Sequence, residues 1–323
     1  MRFRELGRTG FMVSEVGYGV WGMSGWSGSD DQESRGSLQA AVDLDCNFFD
    51  SAWAYGEGKG DEFVGGTMAR NPGKRLIVAS KIPPLNRRWP ASPQDRYADV
   101  FPAEHVFRYA DLIRRQLGVA RIDLLQLHVW DDSWADEREF QETAMKLKSD
   151  GMVRNFGISL NRWQPENGIK AVRTGLVDTV QVIYNIFDQA PEDELLPLCR
   201  EMNVGVIARV PLDEGGLTGR LTLETKFPKE DWRSSYFRPE NLRATVERAE
   251  KLKALLPKGM SLPELALRFI LSNPVVGTTI VGMRKLAHVQ QNLSLSDAGP
   301  LGAELLAELK KHRWDRKPKS WSA

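Results

Sequence analysis

The chain has 323 residues, 41% of them hydrophobic and 27% charged, the make-up of a globular protein with a sizeable core. Its 44 Lys and Arg against 43 Asp and Glu leave a net charge of +1, so charge gives no reason to expect a nucleic-acid or anionic-membrane partner. The two cysteines, Cys46 and Cys199, each sit in an apolar segment and exclude a disulfide framework or a thiolate metal set. With no signal-like apolar run in "MRFRELGRTG" and no bilayer-length segment, they predict a cytoplasmic protein.

In chain order, "MRFREL", "GRTG" and "FMVSE" read as a short hairpin, and "VGYGV" as the first strand of the body. A helix follows over "SDDQESRGSLQAAVDL", with Asp30 and Glu33 at capping-box spacing. Strand "CNFFD" leads to a helix near "DEFVGGTMAR". Strand "RLIVASK" leads to "PAEHVFRYADLIRRQLG", where Val106, Ala110, Ile113 and Leu117 form one stripe stopped by Gly118. Strand "IDLLQLH" precedes the helix "DEREFQETAMKLKSDG". "VRNFGIS", "TVQVIYN" and "VGVIARV" are further strands, the first two followed by helices "ENGIKAVRTG" and "PEDELLPLCREMN". A long polar stretch, then helices "ENLRATVERAEKLKALL" and "SLPELALRFILSN", precede the eighth strand, "VGTTIVG", and a last helix. Eight continuous apolar strands alternating with helices predict a parallel sheet buried on both faces and closed as a (β/α)8 barrel, one domain over 1–323. The excursion over about 212–260, between strands seven and eight, reads as a lid beside the active face or as a disordered insert.

Two motif matches are decoys. "GYGVWG", Gly17 to Gly22, fits G-x-G-x-x-G, and Asp50 at the end of strand two imitates a ribose-binding acid. A dinucleotide loop requires a helix N-terminus inside it, but the chain here runs into "MSGWSGSDD" and the helix begins only near Asp30. "YGEGK" places Tyr55 and Lys59 at Tyr-x-x-x-Lys spacing, which needs a helical turn that Gly56 and Gly58 oppose.

The chemistry sits at strand ends, which converge on one face of such a barrel. "FFDSAWAYG" supplies Asp50 and Tyr55, "VASKI" supplies Lys81, and "LLQLH" supplies His128. A lysine ending an apolar strand requires a partner, and Asp50 is next to it. Lys81 would lower the Tyr55 pKa from its ordinary value of about 10, Tyr55 would give a proton to a developing alkoxide, and His128 would orient the carbonyl. Hydride must then come from a cofactor, because no side chain supplies one. Trp21, Trp53 and Trp130 flank strand ends and predict an aromatic substrate mouth suited to aldehydes or sugars.

Asp50, Tyr55, Lys81 and His128 in these contexts resemble the catalytic tetrad of the aldo-keto reductases, in particular the potassium-channel β-subunit-like and bacterial branch. The resemblance extends over nearly the whole chain. It implies an NADPH cofactor, with NADH as an alternative, and no metal. It implies that Ser159, Asn161 and Gln181 hold the nicotinamide carboxamide, although Leu160 separates the first two. Val20 and Trp21 would lie beside the nicotinamide, and Arg209 would stand where many members place an aromatic ring. "PLDEGGLTGR" resembles the pyrophosphate loop, with Leu212, Gly216, Leu217, Thr218, Gly219 and Arg220. "IVGMRKLAHVQQNL" resembles the segment for adenosine and its 2′-phosphate, with Gly282, Met283, Arg284, His288, Gln291 and Asn292. The implied reaction is reduction of an aldehyde or ketone. The alternatives are an NAD(P)+-dependent aldose or alcohol dehydrogenase and a nucleotide-binding regulatory subunit with little turnover. The expected partner is a small carbonyl compound or sugar.

Overall fold

The computed structural model describes residues 1–23 and 28–319, so the middle of the "MSGWSGSDD" run lies outside the described residues. β1 (Phe3–Glu5) and β2 (Met12–Ser14) pair antiparallel as the predicted hairpin. The elements that follow are β3 (Val16–Gly19), α1 (Asp31–Asp43), β4 (Phe48–Asp50), α2 (Lys59–Arg70), β5 (Ile77–Ile82), α3 (Tyr97–Val100) and α4 (Ala103–Leu117). Next come β6 (Ile122–Leu127), α5 (Arg138–Ser149), β7 (Val153–Ser159), α6 (Ile169–Arg173), β8 (Thr179–Ile183), α7 (Leu195–Glu201) and β9 (Gly205–Arg209). The chain ends with α8 (Arg233–Tyr236), α9 (Pro239–Lys253), α10 (Leu262–Leu271), β10 (Val276–Gly282), α11 (Leu286–Ala298) and α12 (Ala303–Lys310). β3 to β10 close into a parallel barrel in the order β10-β3-β4-β5-β6-β7-β8-β9.

Local rules account for the surrounding helices. Asp30 caps α1 by accepting the Glu33 N–H at 2.7 Å. The α4 stripe of Val106, Ala110, Ile113 and Leu117 is fully buried, and Gly118 ends the helix in the left-handed region at φ 67°. Each large aliphatic side chain removed from water in this way contributes about 1.5–3 kcal/mol.

The period of two along each strand builds the site. Phe48, Ile77, Ala79, Leu124 and Ile207 form a separate apolar cluster with Leu6 and Val13 of the hairpin, while their neighbours Phe49, Val78, Leu125, Val206 and Ala208 pack into the larger cluster shared with the helices. The hairpin therefore plugs one end of the barrel. Leu6 reaches Gly205 and Gly277, where an added Cβ would lie 2.8 and 2.7 Å from its side chain. Two residues further along the same inward rows stand Asp50, Lys81, Gln126 and Arg209. A one-residue change of parity in any of these strands would send its polar terminus into the helix layer.

Candidate active site

Four strand ends bring the charged centre together. Lys81 Nζ donates to Asp50 Oδ1 at 2.5 Å and to the Ser51 carbonyl at 2.8 Å, with both side chains 1% exposed. The other oxygen of Asp50 accepts from Gln181 Nε2 at 2.7 Å. The Lys81 ammonium lies 5.3 Å from the centroid of the Tyr55 ring. The rings of Tyr55 and His128 meet edge to face at 5.8 Å. Backbone bonds hold the loop that carries Tyr55: Ser51 N–H donates to Ala79 O, Trp53 N–H to Lys81 O, and Gly58 N–H to Trp53 O. Lys59 opens α2 and bonds Asp31 at 2.7 Å, so the Tyr55–Lys59 pairing of the second decoy is absent.

The electrostatics differ from expectation at one group. Lys81 does act to lower the Tyr55 pKa, but burial of the phenol outweighs it and the net shift is upward. Tyr55 is therefore a protonated phenol throughout the neutral range, the form needed to give a proton. Burial opposes the charge on Lys81, yet the attraction of Asp50 and of the Tyr55 oxygen, with the hydrogen bond to Asp50, together outweigh it and its pKa is raised. His128 is driven well below the ordinary histidine value, first by burial and then by Lys81 and Arg209. It stands as a neutral ring, and its buried Nδ1 has no partner among the described residues.

A cavity of about 810 Å³ opens from this centre. Asp50, Tyr55, His128, Gln181 and Arg209 line one part of its wall. Gly282, Met283, Arg284, Lys285 and His288, from the end of β10 and the start of α11, line another. The excursion between β9 and β10 forms much of the rest: Leu212, Glu214, Gly215 and Thr218 come from the turn after β9, and Trp232 from beside α8. The rings of Trp232 and Trp21 approach to 5.5 Å, so the excursion reaches the loop after β3. Burial, followed by the charges of Arg220, Lys285 and Arg284, lowers the pKa of His288.

Several residues named from the sequence lie outside the cavity wall. Trp130 is wholly buried against Trp134 and Phe140, its indole N–H on Asp132 at 3.0 Å, and is core rather than mouth. Trp53 packs edge-on to Tyr109 of α4 and fills the space over Gly58. A tryptophan at a strand end satisfies either surrounding equally well, which is why spacing did not separate them. The tryptophans among the described residues that line the cavity, beside the rings of Tyr55 and His128, are Trp21, Trp89 and Trp232, two of them from loops that carry no strand-end signal. Val20 is buried behind the wall, with its N–H on Asp50 O at 3.0 Å. Asn161 has both amide atoms engaged with the backbone of Ala91, so it pins the loop that carries Trp89. Ser159 and Asn161 line a smaller recess beside Tyr55. Leu217 and Gly216 face inward, the latter where a Cβ would lie 2.6 Å from Thr245 Cγ2. Gly219 ends the turn at φ 71°, Arg220 is exposed, and on α11 Gln291 is exposed and Asn292 buried. Arg162, which donates to Glu214 at 2.7 Å on the cavity wall, and Lys285 were not singled out, because nothing in their local sequence distinguishes them from surface charges.

The protein has clear relatives. The aldo/keto reductase family model matches residues 15–313. The chain is 29% identical over 317 residues to the uncharacterized oxidoreductase YqkF of Bacillus subtilis, covering 97% of this chain and 96% of the relative. It is 28% identical over 319 residues to a probable voltage-gated potassium channel subunit beta of Oryza sativa, covering 93% of each. Among solved structures, the holo form of aldo-keto reductase AKR11C1 from Bacillus halodurans superposes with a TM-score of 0.78 at 25% identity, covering the whole of both chains. No helix among the described residues is long and apolar enough to cross a membrane. From its closed barrel and the match along nearly its whole length, this chain belongs to the aldo/keto reductase family of oxidoreductases.

Proposed function

We propose that the protein reduces an aldehyde or ketone to the alcohol with NADPH, and that Tyr55 is the proton donor. The observation that carries this reading is the buried Lys81–Asp50 pair beneath a protonated Tyr55, with neutral His128 beside it on a cavity wall. A bound dihydronicotinamide supplies hydride. The chain's own residues do the rest. Tyr55 gives its phenolic proton to the oxygen that becomes the alcohol. Lys81, held charged by Asp50, stabilises the phenolate left behind, and water can restore its proton from the open side of the cavity. His128, uncharged, orients the carbonyl oxygen without competing as an acid.

The residues present fit the cofactor. The cavity extends from Tyr55 to a group of cations, Arg284 and Lys285 on its wall with Arg220 close enough to act on His288, a setting that favours a phosphate over a bare ribose. Ser159 and Gln181 would meet the carboxamide. Gln181 gives one of its two amide N–H groups to Asp50, which leaves the other and Oε1 for the carboxamide. Leu212, Gly215 and Thr218 would border the pyrophosphate, and Arg209 would face the nicotinamide.

The test is steady-state oxidation of NADPH against a panel of carbonyl compounds. Tyr55→Phe should lower kcat by about 10²–10⁴-fold, the usual contribution of a positioned acid. Full activity in that variant would refute the proton-donor assignment. Binding titrations should show NADPH held more tightly than NADH, and equal affinities would rule out a 2′-phosphate site.

A further inference from the structure

We propose that Asp61 of α2 is a positioning residue for the proton donor: its carboxylate acts from behind Asp50 and Lys81 to keep Tyr55 in the phenol form, which favours reduction over the reverse oxidation. This rests on the reductase reading above. Asp61 stands in the first turn of α2 and is wholly buried, as are Ser51 and Ser80. Ser80 precedes Lys81 on β5 and Ser51 follows Asp50 at the end of β4, so alternation turns both hydroxyls away from the side of Asp50 and Lys81. Ser80 Oγ donates to Asp61 Oδ1 at 2.8 Å, and Ser51 Oγ lies 2.9 Å from where a Cβ on Gly60 would stand.

Short links join this carboxylate to the reacting centre. The Gly60 N–H donates to the Tyr55 carbonyl at 3.0 Å, and a Cβ on Gly60 would lie 3.3 Å from Tyr55 Cβ. The Ser51 carbonyl accepts from Lys81 Nζ at 2.8 Å. Tyr55 itself faces two buried cations, Lys81 and Arg209, which both act to lower its pKa, against the single carboxylate of Asp50. Asp61 adds a second negative charge from the opposite face of the sheet. Lys81 and Asp50 act on the Asp61 carboxyl in opposite directions, and the coupling is reciprocal. Elsewhere around α2, Lys59 and Glu62 are paired at the surface with Asp31 and Arg35 of α1, and α4 meets Gly65 through the backbone of Gln116 and Leu117.

Packing alone does not call for a charge at this position. Asp61 makes no ion pair among the described residues, and neither its Oδ2 nor the Ser51 hydroxyl has a hydrogen bond of good geometry. The oxygen of an amide side chain accepts from Ser80 equally well, without the cost of burying a carboxylate. What Asp61 supplies beyond that is its charge, which is present at neutral pH because burial raises its pKa only to about 6.

The test is the pH dependence of kcat in both directions for the full-length wild type, Asp61→Asn and Asp61→Glu. A unit charge roughly 10 Å from a titrating group moves its titration by about one pH unit at an effective dielectric of about 20. Asp61→Asn keeps the shape and the acceptor for Ser80. It should move the alkaline limb of reduction down by about 0.5–1 pH unit and raise alcohol oxidation relative to reduction near pH 8 by about two- to fivefold. Asp61→Glu keeps the charge but disturbs the packing, so its limb should stay within about 0.2 pH unit of wild type. A merely structural role predicts the reverse, with Asn silent and Glu perturbing. The carbon-13 resonance of Tyr55 Cζ, assigned by its loss in Tyr55→Phe, reads the same ionisation in the NADP+ complex without turnover. An alkaline limb or a Tyr55 titration unmoved in Asp61→Asn overturns the inference while leaving the reductase reading intact. A shift as large in Asp61→Glu as in Asp61→Asn also overturns it, because charge is then not the cause. A Tyr55 titration that follows the charge at position 61 in a protein that reduces nothing supports the coupling and instead refutes the reductase reading.

Discussion

Arg316 ties the C-terminal segment to the turn over the cavity, and removing it should loosen both. Its guanidinium is 4% exposed. It pairs with Asp188 through Nε at 3.1 Å and through Nη2, donates to Asp213 Oδ1 at 2.7 Å, and donates to the Tyr236 hydroxyl at 3.1 Å. The rings of Trp163 and Trp314 lie 4.6 and 4.7 Å from it. Arg316→Met keeps most of the volume and strands two carboxylates that are 7% and 0% exposed. Breaking a buried ion pair from one side costs about 3–5 kcal/mol. Asp213 and Glu214 also sit in the left-handed region at φ 47° and 57°, a conformation that anchoring by Arg316 helps to hold. At about 2 °C per kcal/mol for a chain of this size, the midpoint of thermal unfolding should fall by roughly 6–10 °C. Because Leu212, Glu214, Gly215 and Thr218 line the cavity from this same turn, affinity for NADPH should weaken in parallel. Adding Asp188→Asn and Asp213→Asn to Arg316→Met should recover most of the lost stability. A midpoint within about 1 °C of wild type for the single variant would refute the argument that this clasp stabilises the fold.

Asp61, wholly buried beside Ser80, has its pKa raised to about 6 from 3.8, chiefly by burial. The folded state therefore binds the proton more tightly than the unfolded chain. This group's contribution to stability falls as pH rises from about 4 to 6, reaching a loss on the order of 3 kcal/mol above that window. Asp61→Asn should stabilise the protein near pH 8 and have little effect below about pH 4 in denaturant titrations; the opposite trend would show that the buried carboxylate is compensated. Gly157→Ala would put a Cβ 2.2 Å from Thr179 Oγ1 and 2.9 Å from its carbonyl inside the barrel, at an overpacking cost of about 1–3 kcal/mol; an unchanged unfolding midpoint would count against it. The raised pKa of Tyr55 predicts that kcat for reduction stays level through neutral pH and declines only in alkali, where the phenol loses its proton. In Lys81→Met the cation that lowers this pKa is gone, so reduction should slow sharply and the alkaline limb should move to higher pH; a limb that stays in place would assign it to another group.

Much of this architecture is legible in the sequence. Continuous apolar runs such as "RLIVASK" and "IDLLQLH" can be buried on both faces only in a parallel sheet, and eight of them alternating with helices leave a closed barrel as the simplest arrangement. The same argument located Asp50, Lys81 and His128, because a polar residue ending an apolar strand is conspicuous. It also removed "GYGVWG" as a phosphate loop, since α1 starts at Asp31, well beyond the last glycine of the motif.

What the sequence determined by itself was therefore whatever follows from periodicity and from exceptions to it. What only the tertiary structure decided was which distant loops face one another across the cavity. Trp89, Arg162, Glu214 and Trp232 come from three separate connections with no regular pattern, and their neighbourhood depends on how those connections fold back over the barrel. The direction of the Tyr55 shift belongs in the same class. The Lys81 charge was visible in the sequence, but the burial that outweighs it is a property of everything packed around the ring.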